Sequence, residues 1–486
     1  MKEKIDAVRT ENREEGKTIR DILRVAISNL FTILSGVLVG FLIPKMMGQS
    51  DYGYYKIFTL YLGYVGLFHF GFCDGIYLLF GGKRYEELDK RKFRCYSRFL
   101  LFFQCAISFV ITAIALCFVR YDYGFIFLFI SLSLLSSNII TYYQFISQIT
   151  GRFRELSLVN LVKSFLTVVA IAVLYGLYYA GVLSFLKYQI YVVITSFILV
   201  LIALWYVFAY REITFGEAES FKNEKKMLSR FFIVGIPLML SNFVSNMILQ
   251  LDRQFVSLLY DTADYAVYAF AYNMLGLVTV AISAIATVLY PTLKRYDENR
   301  LKTHYSPLIS LLSVITGFCL IVYFPLILFV RSFLPAYTDS LLIFRIILPG
   351  IMVSTNVSVV IFNYYNALGK SNRFFFISIG ILVLSVVANF IAWFVFRNYY
   401  AISSASVIVL FIWYAIADFC LIRRTGIRFS WKNYAYPLIL MSGFYLATAI
   451  ENVGISFGVY LILYLVMTPI FFGPLIVRFI RKLKSR

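Results

Sequence analysis

Four basic side chains, Arg24, Lys163, Arg253 and Arg345, lie inside apolar stretches of this sequence. A charged side chain is expensive in hydrocarbon, so it normally faces the interior of a helix bundle or a water-filled cavity. For phosphate oxygens, arginine provides a forked donor and lysine a compact charge on a flexible stem. We therefore predict that these cations bind an anion. Arg24 and Lys163 would form an inward-facing site, and Arg253 and Arg345 an outward-facing one.

Amide side chains lie on the same predicted helix faces as Arg253 and Arg345. The amides before Arg253 follow steps of three or four residues and lie within about 80° of one face. Those after Arg345 lie within about 40° of its direction. Because amides both donate and accept hydrogen bonds, we predict that they contact polar groups of the substrate. This set comprises Asn242, Asn246, Gln250, Asn356 and Asn363.

Similar polar stripes occur in three other spans, and all of these stripes have a plainer alternative. Ser, Thr and Asn residues form interhelical contacts in any large bundle. A structural ion pair would account for Lys163 and Arg253, and Arg24 and Arg345 could reach the headgroups. The other stripes are Ser28, Thr32 and Ser35; Ser137, Thr141, Gln144 and Gln148; and Asn160, Ser164 and Thr167.

Acidic residues in the apolar stretches are fewer than the cations. Asp74 and Asp252 could carry a coupling ion if their surroundings favour the protonated form. Asp418 lies near a predicted cytoplasmic end, where it could meet water or Arg423. No nucleotide-binding glycine loop and no carboxylate pair suited to glycosyl transfer occurs in the sequence. We therefore expect no catalytic residue, no metal, no cofactor and no ATP-driven step.

The composition predicts that membrane helices position these side chains. Only 14% of the 486 residues are charged and 61% are hydrophobic, with a mean hydropathy of +0.80. Such a chain cannot coat a water-facing surface. Because about twenty apolar residues cross the hydrocarbon, about fourteen spans can be marked. They begin near Ile22, Ile57, Phe99, Phe125, Leu158, Phe185, Phe231, Asp264, Pro307, Leu341, Phe376, Ala401, Tyr434 and Ile455.

The basic residues between the spans predict their orientation. Lysine and arginine resist translocation, whereas acidic residues have little influence. With the amino terminus inside, about 35 of the 45 basic residues fall in cytoplasmic segments and about six in outer loops. Both termini are therefore predicted to be cytoplasmic. The net charge of +20 is a topology signal, and we expect no nucleic-acid partner.

Short motifs recur in the same order in the two halves of the chain. Segments six spans apart share an orientation, so the repeat predicts two parallel six-helix bundles followed by a terminal helix pair. The matched segments are Ser28-Asn29-Leu30 with Ser241-Asn242-Phe243, Asp51-Tyr52-x-x-Tyr55 with Asp264-Tyr265-x-x-Tyr268, Lys83-Arg84-Tyr85-Glu86 with Lys294-Arg295-Tyr296-Asp297, and Gln148-x-x-Gly151-Arg152 with Asn366-x-x-Gly369-Lys370.

The predicted organisation has seven parts. They are a cytoplasmic segment over 1–21, the first bundle over 22–210, a cytoplasmic linker over 211–230, the second bundle over 231–422, a cytoplasmic loop over 423–433, the helix pair over 434–480 and a basic cytoplasmic tail over 481–486.

Three loose motifs carry a resemblance to a known family. They are Gly235-Ile236-Pro237 with Asn242 and Asp252-Arg253, the Asp264-Tyr265-Ala266-Val267-Tyr268 hairpin, and the turn with Pro44, Gly48 and Asp51-Tyr52-Gly53. With these motifs the chain resembles the polysaccharide flippase branch of the multidrug, oligosaccharidyl-lipid and polysaccharide exporter superfamily, whose members move O-antigen or capsule repeat units.

The resemblance implies an all-α, V-shaped, alternating-access transporter in the bacterial cytoplasmic membrane. It implies an undecaprenyl-diphosphate-linked oligosaccharide as substrate, for lipopolysaccharide or capsule biosynthesis. Membrane lipid would be a further partner, and the chain could assemble with a polysaccharide polymerase.

Two other functions fit the same scaffold. An ion-coupled exporter of drugs or small molecules would tend to need intramembrane acids, whereas here the cations outnumber the acids. A flippase for the peptidoglycan lipid precursor would carry the same diphosphate. Charge alone therefore does not distinguish it from a flippase for a diphosphate-linked oligosaccharide.

Overall fold

The computed structural model describes residue 28 and residues 31–294 and 297–484, which are helical almost throughout. Arg24, the predicted amino-terminal segment and the start of the first predicted span lie outside the described residues. The described residues divide into two compact units, with the boundary between Asn242 and Phe243. The boundary falls inside one helix, and the predicted linker 211–230 lies within the first unit.

Eight helices build the first unit, the last of which continues into the second. They are α1 (Phe31–Met46), α2 (Gln49–Leu62), α3 (Phe72–Phe80), α4 (Lys90–Phe118), α5 (Tyr121–Ile149), α6 (Phe153–Tyr179), α7 (Tyr188–Ala209) and α8 (Phe221–Ile248).

Eleven further helices build the second unit. They are α9 (Leu251–Leu259), α10 (Thr262–Lys294), α11 (Glu298–Cys319), α12 (Tyr323–Phe333), α13 (Ser340–Ile347), α14 (Ile351–Thr355), α15 (Phe362–Ala367), α16 (Ser371–Phe396), α17 (Tyr399–Thr425), α18 (Lys432–Ala447) and α19 (Val453–Lys484).

The described helices confirm an all-α polytopic membrane protein. Ten helical stretches are long and apolar enough to cross a membrane, and eleven are if the bent pair α2–α3 counts as one span. Helices α1, α10 and α18 occupy the remaining predicted spans but are not among these stretches. The predicted number of fourteen spans therefore stays a prediction.

Several helices begin earlier than the predicted spans. Helix α4 begins at Lys90, about two turns before Phe99, and α8 begins at Phe221, ahead of Phe231. The hydropathy pattern marks only the part of a helix that lies in hydrocarbon, whereas a polar turn can extend it into water. At the start of α4, the Asp89 carboxylate accepts hydrogen bonds from the first backbone N–H groups and so stabilises that extra turn.

Helices α3 and α8 cross at backbone contact in the first unit. A Cβ placed on Gly235 would lie 1.9 Å from the carbonyl oxygen of Gly71, and one on Gly75 would lie 2.1 Å from that of Phe231. Only glycine permits such an approach, because any side chain would overlap the facing backbone. The rings of Phe72 and Phe231 pack edge to face beside the crossing, with centroids 5.4 Å apart.

The repeated glycine motif has the same geometry in both units. Gly151 after α5 has φ 68° and Gly369 after α15 has φ 66°, the left-handed conformation that glycine adopts without strain. The next residue closes the same hydrogen bond in each case. Arg152 donates to the carbonyl of Ser147 over 2.8 Å, and Lys370 donates to the carbonyl of Tyr365 over 2.8 Å. Both helices therefore end in one motif.

Two spans are not regular α-helices, so a predicted face does not continue across their interruptions, although Asn242 and Asn246 lie in the unbroken part of α8. The seventh is interrupted, since α8 ends at Ile248 and α9 begins at Leu251 with Gln250 between them. The tenth alternates α-helix with a tight turn at Leu348–Gly350 and a π-helical stretch at Asn356–Ile361. A constant 100° per residue does not hold across such changes.

Candidate functional site

In the second unit, the buried carboxylate of Asp252 accepts hydrogen bonds from two tyrosines. The hydroxyl of Tyr268 donates to Asp252 Oδ2 over 2.7 Å, and Tyr272 donates to the same oxygen. Asp252 Oδ1 accepts from the backbone N–H of Arg253 over 2.8 Å. The tyrosines lie one turn apart on α10, which aims both at α9. The Tyr268 hydroxyl in turn accepts from Ser403 over 3.2 Å.

The guanidinium of Arg253 does not pair with the neighbouring Asp252. Its Cζ lies 4.6 Å from the centre of the Tyr272 ring. Within the described part of the chain it has no carboxylate partner, and its buried Nε has no hydrogen-bond partner. A cation over an aromatic ring keeps its full charge. Arg253 can therefore still bind an anion.

In the first unit, the polar stripes of the first and fifth spans meet. Thr32 Oγ1 and Ser164 Oγ are 3.1 Å apart, which joins α1 to α6. The neighbouring Lys163 is exposed, and its ammonium forms no ion pair or hydrogen bond with any residue that the structure describes. Arg24, its predicted partner, lies outside the described residues.

The second span of the first unit is broken inside the apolar layer. Helices α2 and α3 meet at 58°, with a 3-10 turn at Val65–His69 and left-handed backbone at Phe70 and Gly71 between them. The amides of Gln104 and Asn138 donate to two carbonyls of this segment over 3.1 and 3.2 Å. These hydrogen bonds replace some of the backbone hydrogen bonds that the helix loses at the break.

His69 and Asp74 face each other at this break. They are only 4% and 5% exposed, and His69 Nε2 lies 3.7 Å from Asp74 Oδ2. His69 Nδ1 accepts from the backbone N–H of Gly71 over 3.2 Å, so a neutral ring carries its proton on Nε2, facing the carboxylate. Asp74 Oδ2 has no hydrogen bond to any described residue. The pair has a free acceptor for one further proton.

Arg345 lines a cavity of about 360 Å³ in the second unit. Its guanidinium donates one hydrogen bond, to the carbonyl of Tyr445 over 3.3 Å. Arg331, Asp339 and Glu451 line the same cavity. Arg345 and Arg253, which were predicted to form one site, show no interaction with each other in the described structure.

Two predicted substrate amides are packed inside the second unit. Asn356 is fully buried and donates to Ser313 Oγ and to the carbonyl of Met352, both over 2.9 Å. Asn363 is also buried and donates to the carbonyl of Val359 over 2.7 Å. The bond to Ser313 is interhelical and the other two are local, and the predicted contact of these amides with the substrate stays a prediction. By contrast, Asn242 and Asn246 are exposed on α8, and Gln250 lies at its break from α9.

Asp418 is buried and is not paired with Arg423. Tyr305 and Tyr434 both donate to its carboxylate, which ties α17 to α11 and α18. The expectation that Asp418 meets water or Arg423 is therefore wrong, because two tyrosines from neighbouring helices enclose it.

The first copy of the basic motif surrounds a tyrosine with cations. Lys90 Nζ lies 3.4 Å and Arg152 Cζ 4.4 Å from the centre of the Tyr85 ring. Burial raises the pKa of Tyr85 to about 12, so the ring stays neutral and offers both cations its π-face. Nearby, Arg94 donates to the carbonyl of Glu212 over 2.8 Å, which ties the predicted linker to α4.

The tyrosine donors to Asp252 and Asp418 and the contact between His69 and Asp74 were not predicted from the sequence. Tyr268 and Tyr272 are spaced by four residues, which is a usable signal for a shared face, but nothing in the sequence connects that face to Asp252. His69 and Asp74 become neighbours only through the left-handed turn between them. The three other charged residues of the Arg345 cavity come from separate loops and helix ends.

Residues 18–297, more than half of the chain, match the family described as polysaccharide biosynthesis protein. Among curated proteins, none matches the sequence.

Three solved structures illustrate the similarity of the fold. The lipid II flippase MurJ in an inward closed conformation matches with a TM-score of 0.69 and 15% identity, over 94% of this chain and 100% of that one. A MATE transporter in complex with MaL6 gives 0.59 and 14%, over 84% and 96%. A MOP superfamily transporter from Pyrococcus furiosus gives 0.54 and 13%, over 84% and 95%. The chain has the MOP transporter fold.

Proposed function

Because the chain belongs to the polysaccharide biosynthesis protein family, we propose that it is a flippase for a lipid-diphosphate-linked oligosaccharide. It moves the repeat unit of a surface polysaccharide from the cytoplasmic to the outer leaflet by alternating access. The observation that carries this proposal is that each unit holds an intramembrane cation, Lys163 or Arg253, with no anionic partner among the described residues. A diphosphate is the anion that the family's substrate would supply.

Lys163 and Arg253 suit different steps of this movement. Lys163 has a mobile ammonium that can follow a phosphate. Arg253 is held over the Tyr272 ring, so its forked donor has a fixed direction. We assign Lys163, with Arg24, to an inward-facing anion site and Arg253 to an outward-facing one. The exposed Asn242 and Asn246 would contact sugar hydroxyls. Arg345 also belongs to an outward-facing anion site, which its surroundings specify further below.

Replacing each unpaired cation tests the assignment. In cells that depend on this chain for surface polysaccharide, Lys163→Ala and Arg253→Ala should abolish export while the membrane abundance of the protein stays normal. Lys225→Ala and Arg397→Ala remove the same charges from exposed positions outside the apolar stretches and should retain export. Retained export in both test variants would overturn the assignment.

Asp74 and Asp252 are the proposed carriers of a coupling ion. Asp74 has the free acceptor and faces His69 Nε2, whereas both oxygens of Asp252 already accept hydrogen bonds. We therefore favour Asp74 as the proton carrier. In proteoliposomes, an imposed proton gradient should accelerate transport by the unaltered protein but not by Asp74→Asn. If both Asp74→Asn and Asp252→Asn respond like the unaltered protein, neither carboxylate couples transport to protons.

The lipid species that accumulates when the gene is removed separates the candidate functions. Diphosphate-linked repeat units held in the inner leaflet would support the proposal. Accumulated peptidoglycan precursor would favour the alternative that the MurJ fold suggests. Normal surface glycan with increased drug sensitivity would favour a drug exporter. Residence in the bacterial cytoplasmic membrane with both termini inside is part of the proposal, and a polymerase partner would follow from it.

A further inference from the structure

The cavity beside Arg345 is lined by charges of both signs together with aromatic and aliphatic side chains. Tyr323, Phe324 and Ile327 line it and are buried. Around them stand two guanidinium groups, from Arg331 and Arg345, and two carboxylates, from Asp339 and Glu451. All the lining residues belong to the second unit, so the cavity is a feature of that unit alone.

None of these four charged groups forms an ion pair with another described residue. Opposite charges that merely stabilised the loops would be expected to meet at contact distance, where their attraction is largest. Here two cations and two anions share one cavity and stay apart. The cavity therefore presents separate positive and negative positions to whatever enters it.

We propose that this cavity binds a zwitterionic headgroup that combines a phosphate with a primary amine, a phosphoethanolamine group. Arg331 and Arg345 bind the phosphate, since each guanidinium can donate to one of its two non-bridging oxygens. Asp339 and Glu451 accept hydrogen bonds from the ammonium. In an amino acid the ammonium and the carboxylate share one carbon, whereas in this cavity the arginines and the acids form no ion pair and stay apart, as the two-carbon spacer between phosphate and amine requires.

The size of the cavity favours a headgroup over a saccharide. Small-molecule sites usually measure about 300–1,000 Å³, and this one is near the lower limit at about 360 Å³. A repeat unit of several sugars would not fit inside, whereas a phosphoethanolamine group would fit with its ester chain directed outwards.

The position of the cavity suggests where the ligand comes from. Arg331 lies in the last turn of α12, Asp339 in the α12–α13 connection and Glu451 in the α18–α19 connection. Both connections face outwards in the orientation of the proposed function, on which this inference rests. At that depth a protein meets the headgroups of the outer leaflet. The phosphoethanolamine group could equally arrive on a soluble molecule, and the experiment distinguishes these two sources.

Binding can be measured on the purified full-length protein without any transported substrate. We would titrate detergent-solubilised protein with phosphatidylethanolamine, phosphatidylglycerol or soluble glycerophosphoethanolamine and follow ligand retention by native mass spectrometry. Phosphatidylethanolamine should bind at least about tenfold more tightly than phosphatidylglycerol, which lacks the amine. Competition by glycerophosphoethanolamine supports recognition of the headgroup itself. Binding of the lipid alone also supports the site and identifies the bilayer as its source.

Removing one basic and one acidic side chain in separate variants tests the phosphate-binding and the amine-binding halves of the site. Arg331→Gln should weaken binding of both phospholipids, and Glu451→Gln should weaken phosphatidylethanolamine alone, each about tenfold. Arg397→Gln removes a charge that stacks on Trp393 elsewhere in this unit and should change neither. Equal affinity for the two lipids, or unchanged binding in both test variants, would overturn the proposal. Because the readout is binding, a failure here is distinguishable from a failure of the flippase assignment.

Discussion

The buried carboxylates of Asp252 and Asp418 accept hydrogen bonds from tyrosine hydroxyls and form no ion pair with any described residue. Asp252 accepts from Tyr268 and Tyr272, and Asp418 accepts from Tyr305 and Tyr434. Hydrogen bonds to a charged group are stronger than those between neutral groups, so two hydroxyls can offset much of the penalty of burying an acid. One consequence is that the nearby Arg253 is not neutralised and keeps its charge for an anion.

Removing one hydroxyl from the Asp252 cluster should destabilise the protein. Tyr268→Phe and Tyr272→Phe each delete a donor to a buried carboxylate, and we expect each to lower the free energy of unfolding by about 1–3 kcal/mol. Thermal unfolding of the purified protein measures this loss. Tyr179→Phe, at a ring that is 85% exposed, should have no effect. If all three variants unfolded at the same temperature, the two tyrosine hydroxyls would not stabilise the Asp252 carboxylate.

The sequence predicts where helices occur better than it predicts where those helices are interrupted or change type. Apolar runs identify the spans because burial in lipid requires an apolar side chain at almost every position. A break such as that after Ile248, or the π-helical stretch that begins at Asn356, changes only backbone hydrogen bonds and leaves the apolar pattern intact. A face predicted from a constant turn per residue therefore does not extend past a change of helix type, such as the π-helical stretch that begins at the buried Asn356.

One of the repeated motifs, the helix end at Gly151 and Gly369, could be recognised in the sequence because its glycine meets a specific backbone requirement. Gly151→Ala and Gly369→Ala should each lower the free energy of unfolding by about 1–2 kcal/mol, since alanine is strained in the left-handed conformation. Gly276→Ala, within α10 and with open space where the added methyl group would lie, should be neutral or slightly stabilising. Thermal unfolding again provides the measurement. A loss at only one of the two repeated positions would argue against equivalent helix ends.

The crossing of α3 and α8 makes a sharper prediction at the same scale. A methyl group at Gly235 would meet the carbonyl oxygen of Gly71 at 1.9 Å, so the two backbones must separate. We expect Gly235→Ala to lower the free energy of unfolding by about 3 kcal/mol or more, the upper end of the range for an overpacked core, and to lower the yield of folded protein in detergent gel filtration. Gly380→Ala, which has open space around it, is the matched control. A normal yield for both variants would show that the crossing is looser.

Across the whole molecule, the cations that matter are distributed over both units. Lys163 in the first unit and Arg253 in the second could be identified from the sequence, because a charge inside an apolar run is conspicuous. Their lack of partners could not, since it depends on where every nearby carboxylate lies in the fold. The assignment of inward-facing and outward-facing sites depends further on the membrane orientation, which rests on the loop charges.

The orientation can be tested with one position on each face of each unit. In a background without native cysteines, Tyr121→Cys in the first unit and Glu451→Cys in the second should react with an impermeant maleimide in intact cells. Glu217→Cys and Arg428→Cys, also one in each unit, should react only after the membrane is opened. All four positions are exposed, so a failure to react reports sidedness rather than burial. Successive spans cross the membrane in opposite directions. An even number of miscounted spans between Tyr121 and Glu451 would therefore leave both outer positions reactive in intact cells. An odd number would prevent Glu451→Cys from reacting until the membrane is opened. Protection of Glu451→Cys together with labelling of Arg428→Cys in intact cells would reverse the second unit, and the cavity beside Arg345 would then face the cytoplasm.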